Sequence, residues 1–226
     1  MQKIYLLLSA VLLIAACNES KPTEIPTEFS VERSSRILKT LSADSMKGRS
    51  ANSDDIWAAA NFIASEFEDI SLQPLPGEED YLQRFSTETR RNPGTQIEMA
   101  NVGGMIQGKR EDEIVIFSAH YDHIGVRQPV EGDSIANGAN DNASGVTAVI
   151  ELARYFAAQQ QPERTLFFVG FTAEEMGGYG SRHFSQQFNP ENIIAMFNIE
   201  MIGKPAVEGP NTAWITGFDR STFGEL

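Results

Sequence analysis

Four acids and one imidazole follow directly on three apolar runs. Ile114-Val115-Ile116-Phe117 leads into Ser118-Ala119-His120-Tyr121-Asp122-His123, Leu166 to Phe171 into Thr172-Ala173-Glu174-Glu175, and Ile194 to Phe197 into Asn198-Ile199-Glu200-Met201. In open α/β sheets ligands bind beyond the carboxyl ends of the strands, so His120, Asp122, Glu174, Glu175 and Glu200 are expected on one rim. A fourth segment, Gly138 to Gly145, sets Asp141 just ahead of a helix. Carboxylates gathered without partners repel, and burying each unpaired costs several kcal/mol. Divalent cations remove that conflict, and imidazole with carboxylate oxygen suits zinc or a similar metal. Taken singly, each piece has an ordinary reading: a paired histidine, a helix N-cap at Asp141, a solvated Glu-Glu. The argument rests on their joint placement at three strand ends.

Those strand ends need a scaffold. Val31 to Leu41 carries a loose apolar stripe. After Ser53 and Asp54, either of which could cap it, Ile56, Ala59, Ala60, Ile63, Phe67 and Ile70 recur at helical spacing. Pro74, Pro76 and Gly77 end that unit. Glu98 to Ile106 and Glu113 to Phe117 read as strands around a polar turn, and Val146, Val149, Ile150, Ala153 and Phe156 mark a helix. Thr165 to Phe171 is apolar nearly throughout, as a strand covered on both faces should be. A short helix around Ser181 to Phe188 precedes the run Ile193 to Phe197. The alternation predicts an α/β fold, a three-layer α/β/α sandwich around a mixed, mostly parallel sheet.

The chain has 226 residues, 18 Lys+Arg against 31 Asp+Glu, and a formal net charge of -13. That balance argues against nucleic acid and against an anionic lipid surface as working partners. The one cysteine, Cys17, excludes an intramolecular disulfide and a cysteine-based zinc cluster. Lys3, the apolar stretch Ile4 to Ala15 and the small residues before Cys17 have the layout of a secretory signal over residues 1–16, too short to span a bilayer. Ile14-Ala15-Ala16-Cys17 resembles the lipobox of bacterial lipoproteins. This implies lipidation at Cys17, a tether over residues 17–30, and a lipid-anchored place in the bacterial cell envelope. A plain signal peptide with a chance cysteine is the alternative. The catalytic domain is then expected from residue 31 to 226.

Ser118 to His123, Asn140-Asp141-Asn142-Ala143-Ser144-Gly145, Thr172 to Gly177 and Asn198 to Met201 resemble, in that order, the signatures of co-catalytic di-zinc aminopeptidases. Their clan also holds transferrin-receptor-like carboxypeptidases and glutaminyl cyclases. The likeness runs from about residue 31 to the C-terminus and takes in Lys47-Gly48-Arg49. It implies a zinc exopeptidase fold and two zinc ions. His120, oriented by Asp122, and Glu200 would hold one; Glu175 would hold the other. Asp141 would bridge them, beside a cis peptide to Asn142. Glu200 stands where many relatives have Asp.

The resemblance further implies hydrolysis that releases N-terminal amino acids from peptides through a metal-bridged water, with Glu174 as general base and with Asp122 counted among the catalytic residues for orienting His120. An acidic rim favours a positively charged substrate N-terminus. One departure stands out. The family's further histidine on the Glu175 zinc lies well downstream of the Glu200 motif, and no histidine follows Glu200 here. This favours a chain incomplete at its C-terminus over a natural truncation. Of the remaining histidines, His183 reads as structural, while His123 stays open between rim decoration and support of a ligand. Two other functions remain: one-zinc acyl transfer of the glutaminyl cyclase kind, which His120 and Asp122 weaken, and a non-catalytic scaffold.

Overall fold

A computed structural model describes residues 28–90, 92–220 and 222. The signal segment, Cys17 and nearly all of the tether therefore lie outside the described residues. Helix α1 (Val31–Leu41) starts at Ser30, whose hydroxyl accepts the Arg33 amide at 3.2 Å. Helix α2 (Ile56–Asp69) has Asp55, rather than Ser53 or Asp54, at its N-cap, with no side-chain capping bond. The Ser53 hydroxyl instead meets the Asp55 amide and carboxylate, at 3.1 and 2.6 Å, in a turn just ahead of the helix.

The main sheet contains β1 (Gln73–Pro74), β2 (Leu82–Thr89), β3 (Asn92–Ile106), β4 (Arg110–His120), β7 (Arg164–Phe171) and β8 (Ile193–Asn198). Its order is β1-β3-β7-β4-β8, with β2 also on β3. The pairs β3–β7, β1–β3 and β2–β3 are antiparallel, whereas β4 runs parallel to both β7 and β8. A small separate hairpin joins β5 (Val126–Val130) to β6 (Asp133–Ile135). The sheet is thus mixed, and its parallel part carries the three strand ends singled out in the sequence.

Alternation along β7 builds both faces of the core. Leu166 and Phe168 pack with Ile37, Leu41, Ile63 and Phe67 of α1 and α2, and with Val149 and Ile150 of α3 (Ser144–Ala157). Phe167, Val169 and Phe171 face the other way, onto Phe184 of α4 (Tyr179–Ser185) and onto Leu75. Helices on both sides of the sheet bury β7 almost completely, which is why its sequence is apolar from Leu166 to Phe171. Three ion pairs bind the helical layer together: Arg33 with Glu151 at 2.6 Å, and Glu66 with both Arg36 at 2.7 Å and Arg154 at 3.5 Å. Among the described residues no helix is long and apolar enough to cross a membrane.

Candidate metal centre

Main-chain bonds tie the three parallel strand ends together. The Tyr121 amide donates to the Phe171 carbonyl at 2.9 Å, and the Ile199 amide to the Ser118 carbonyl at 2.7 Å. The Ser118 hydroxyl donates to Asn198 Oδ1 at 3.0 Å. Residues just past β4, β7 and β8 therefore arrive at one edge with little freedom left.

There the structure gathers two sets of donors that share one carboxylate: His120, Asp141 and Glu200, and His123, Asp141 and Glu175. His120 is buried at 2% exposure. Its Nδ1 lies 3.1 Å from the main-chain carbonyl of Asp122 and 3.7 Å from Asp122 Oδ1. A carbonyl only accepts, so Nδ1 carries a proton and Nε2 is the ring's free position. Nε2 is 3.3 Å from Asp141 Oδ1 and 4.0 Å from Glu200 Oε1, yet no described residue hydrogen-bonds to it. A buried ring nitrogen facing two carboxylates lacks either a proton or a cation. Burial alone would lower the His120 pKa, but the carboxylates of Asp122, Glu174 and Asp141 outweigh it and hold it at about 9. This orphaned nitrogen in an imidazole–carboxylate set fits a divalent cation held by His120, Asp141 and Glu200.

Asp122 does more than its place in the motif suggests. Fully buried, it accepts the amides of Glu174 at 3.0 Å and Glu175 at 3.2 Å through its two carboxylate oxygens. It therefore sets the turn at the end of β7, where Ala173 adopts φ 55°. Its carbonyl, not its carboxylate, makes the nearer approach to His120. Glu174 joins neither donor set. It lines a depression of about 250 Å³ with His120, Thr172, Ser181, Met196, Asn198 and Glu200. Partial desolvation raises its pKa; His120 pulls the other way, and the charges of Asp122, Glu200 and Glu175 add to the rise.

The Asp141–Asn142 peptide is cis. Asn142, fully buried, was not singled out in the sequence for a role of its own. Its Nδ2 donates to the Ile199 carbonyl at 3.0 Å, and its Oδ1 accepts the amides of Gly145 and Met201, each at 3.1 Å. Arg49 is also fully buried. It donates to the carbonyls of Tyr121, Leu41, Asn137 and Gly138 at 2.5 to 2.9 Å. Desolvation lowers its pKa to about 10, against the pull of Asp122 and Asp141. One guanidinium thus braces the loops that carry His123 and Asp141. Gly48, at φ +67°, admits this packing, because a Cβ there would stand 2.5 Å from the Ala136 carbonyl oxygen. His183 lies apart from both donor sets and stacks on Phe85 with ring centroids 4.4 Å apart.

Fold and donor arrangement together define a zinc-exopeptidase-type α/β domain. The profile of peptidase family M28 matches residues 101–216, and the chain belongs to that family. A probable zinc metalloprotease of Pyricularia oryzae is 34% identical over 110 residues, which is 47% of this chain and 22% of that protein. The chain therefore spans well under two thirds of such a relative. The structure is similar to a Zn-dependent exopeptidase from Parabacteroides distasonis, with TM-score 0.61 and 20% identity over 79% of this chain and 63% of that one. It is also similar to Porphyromonas gingivalis glutaminyl cyclase, with TM-score 0.60 and 20% identity over 77% and 62% of the two chains. At these identities the structural likeness speaks for the fold.

Proposed function

We propose that the chain carries the catalytic centre of a zinc-dependent aminopeptidase that removes N-terminal residues from peptides. The observation that carries this reading is the buried, unpartnered Nε2 of His120, aimed at Asp141 and Glu200 beside a second donor set on the same Asp141. His120, Asp141 and Glu200 would hold one ion, and Asp141 with Glu175 would take part in holding another. Bound zinc supplies Lewis acidity and lowers the pKa of water toward neutrality. Relatives named as zinc metalloproteases support the choice of metal.

The chain's own groups do the rest. Asp122 fixes the Glu174 and Glu175 amides and so aims both side chains. Glu174, at the depression but outside both donor sets, takes a proton from the attacking water and passes it to the departing amine. Its raised pKa suits a group that must both accept and return a proton near neutral pH. The surrounding acids favour a substrate whose free α-amino group is positively charged, since that group titrates at a pKa of about 8.

The test is a panel of aminoacyl p-nitroanilides and short peptides assayed with zinc, alongside peptides bearing an N-terminal glutamine. Release of free N-terminal amino acids is the expected result. Cyclisation of glutamine without such release would favour the acyl-transfer alternative, and inactivity on both would favour the scaffold. We further propose that Cys17 anchors the protein by lipid in the bacterial envelope; Cys17→Ala would then move it from the membrane to the soluble fraction.

A further inference from the structure

The segment that presents Glu174 is a closed loop whose neck is held by β3, a strand that supplies nothing to either donor set. The antiparallel ladder between β3 and β7 stops at the pair Val102 and Gly170. One residue before Val102, the fully buried carboxamide of Asn101 takes over where the ladder opens. Its Oδ1 accepts the Thr172 amide at 3.2 Å, and its Nδ2 donates to the Gly180 carbonyl at 2.9 Å. The Gly180 amide closes the same neck by donating to the Thr172 carbonyl at 3.1 Å. Within the loop, the Glu174 carbonyl accepts the amides of Gly177 and Gly178 at 2.7 and 3.1 Å. The neck is tight enough to need its glycine: a Cβ at Gly180 would collide with Asn101 Oδ1 and with the Thr172 carbonyl oxygen.

A second buried amide stands next to the first. Gln83, 2% exposed, is the register partner of Asn101 on β2, and its Oε1 accepts the other Nδ2 proton at 2.9 Å. With both Nδ2 protons spent and Oδ1 facing an amide, one orientation of the Asn101 carboxamide satisfies all its neighbours. Burying two amides in a sheet gains little stability over an apolar pair of the same shape. What an apolar pair could not do is clasp both ends of loop 172–180. Nearer the donor sets, Asp122 grips the Glu174 and Glu175 amides of the same loop. We infer that Asn101 is a positioning residue for Glu174, acting through the neck of this loop, with Gln83 one step behind to orient the Asn101 carboxamide. The inference rests on Glu174 as the proton carrier and deepens that reading. The side-chain bonds of Asn101 go to Gln83, Thr172 and Gly180, so it acts on Glu174 through the main chain alone.

The experiment places Asn101→Ala in wild type and in Glu174→Gln, using the full chain with zinc. It reads kcat and KM on an aminoacyl p-nitroanilide, zinc content, and hydrogen exchange of the loop amides by mass spectrometry. In wild type, Asn101→Ala should keep its zinc, hold KM within about 2-fold and lower kcat about 10–100-fold, the cost of misplacing a catalytic group by about 1 Å. In Glu174→Gln the same substitution should lower kcat by less than about 2-fold, because the group it positions is already gone. Exchange across 172–180 should rise at least about 10-fold in Asn101→Ala while exchange along β4 stays unchanged. Gln83→Met leaves both main-chain bonds of Asn101 in place and covers the case in which Asn101→Ala does not fold; its kcat should fall about 3–10-fold with zinc and KM kept. Equal losses of kcat in the two backgrounds would overturn the inference, as would unchanged exchange in the loop or wild-type kcat in Gln83→Met. In each of these cases a slow Glu174→Gln leaves the proposed function standing. Wild-type turnover in Glu174→Gln, or a zinc-loaded wild type without turnover, would instead remove the proton carrier, and the inference with it.

Discussion

Asn142 grips the main chain on both sides of Glu200, donating to the carbonyl of Ile199 and accepting the amide of Met201. A third bond, from the Gly145 amide, ties the same side chain to the start of α3. The peptide that presents Asp141 and the segment that presents Glu200 are therefore set against each other by one buried amide. Asn142→Ala would leave two amides and a carbonyl without partners, at roughly 1–3 kcal/mol for each group that stays buried. The expected outcome is a stability loss of about 2–4 kcal/mol in urea unfolding, with zinc affinity lowered about 10–100-fold by calorimetry. Asn142→Asp keeps both acceptor roles but cannot donate to Ile199, and should fall between the two.

Glu174→Gln separates proton transfer from metal binding. The Glu174 amide still reaches Asp122, and neither donor set loses a member. Zinc content should match wild type while kcat on an aminoacyl p-nitroanilide falls by about 10²–10⁴. Activity near wild type would place the general base elsewhere.

Arg49→Met would strip four main-chain carbonyls of their donor. A destabilisation of at least about 3 kcal/mol is expected, since bonds from a charged donor are individually worth about 1.5–3 kcal/mol. Arg49→Lys should recover little, because a single ammonium cannot span carbonyls that a planar fork reaches together. Thermal unfolding of the three proteins, followed by circular dichroism, checks the order.

His183 gives the fold a mild acid sensitivity away from the metal centre. Desolvation lowers its pKa below the ordinary 6.5, against a small opposing pull from Glu78. The unfolded chain therefore takes up that proton before the folded one does. Its contribution is fully present above about pH 6.5 and is lost as pH falls through the lowered value. Chemical denaturation of metal-free protein at pH 8 and pH 5.5 should show a larger loss for wild type than for His183→Phe, which keeps a ring against Phe85.

What the sequence made legible was local. The apolar run ahead of Glu174 announces itself because a strand covered on both faces must be apolar until it reaches the edge, whereas β8, ahead of Glu200, is last in the described sheet order and leaves Ile194 and Met196 exposed. Asp141 was readable from its place just ahead of the apolar periodicity of α3. What stayed hidden depends on distant parts of the chain. The seat of His123 is made by the Arg49 carbonyl and by Gly138, and nothing in Tyr121-Asp122-His123 itself points to either. The brace built by Arg49 spans four separate segments. The antiparallel hairpin of β2 with β3 from Asn92 to Val102 is hard to read because Arg84, Thr87 and Glu88 break up the apolar positions of β2. Asp55 took the place read for Ser53 or Asp54 because the Ser53 hydroxyl is spent on Asp55 itself.

The pairing of His120 with Phe171 and of Ser118 with Asn198 has one more consequence. Neighbouring strands lie about 4.8 Å apart whatever their side chains, so the sheet acts as a ruler for whatever its ends display. Loops beyond those ends can be rebuilt to favour a different guest without redrawing the scale. A slip of one residue between β4 and β8 would invert the direction of every side chain on the slipped strand and break the measure altogether.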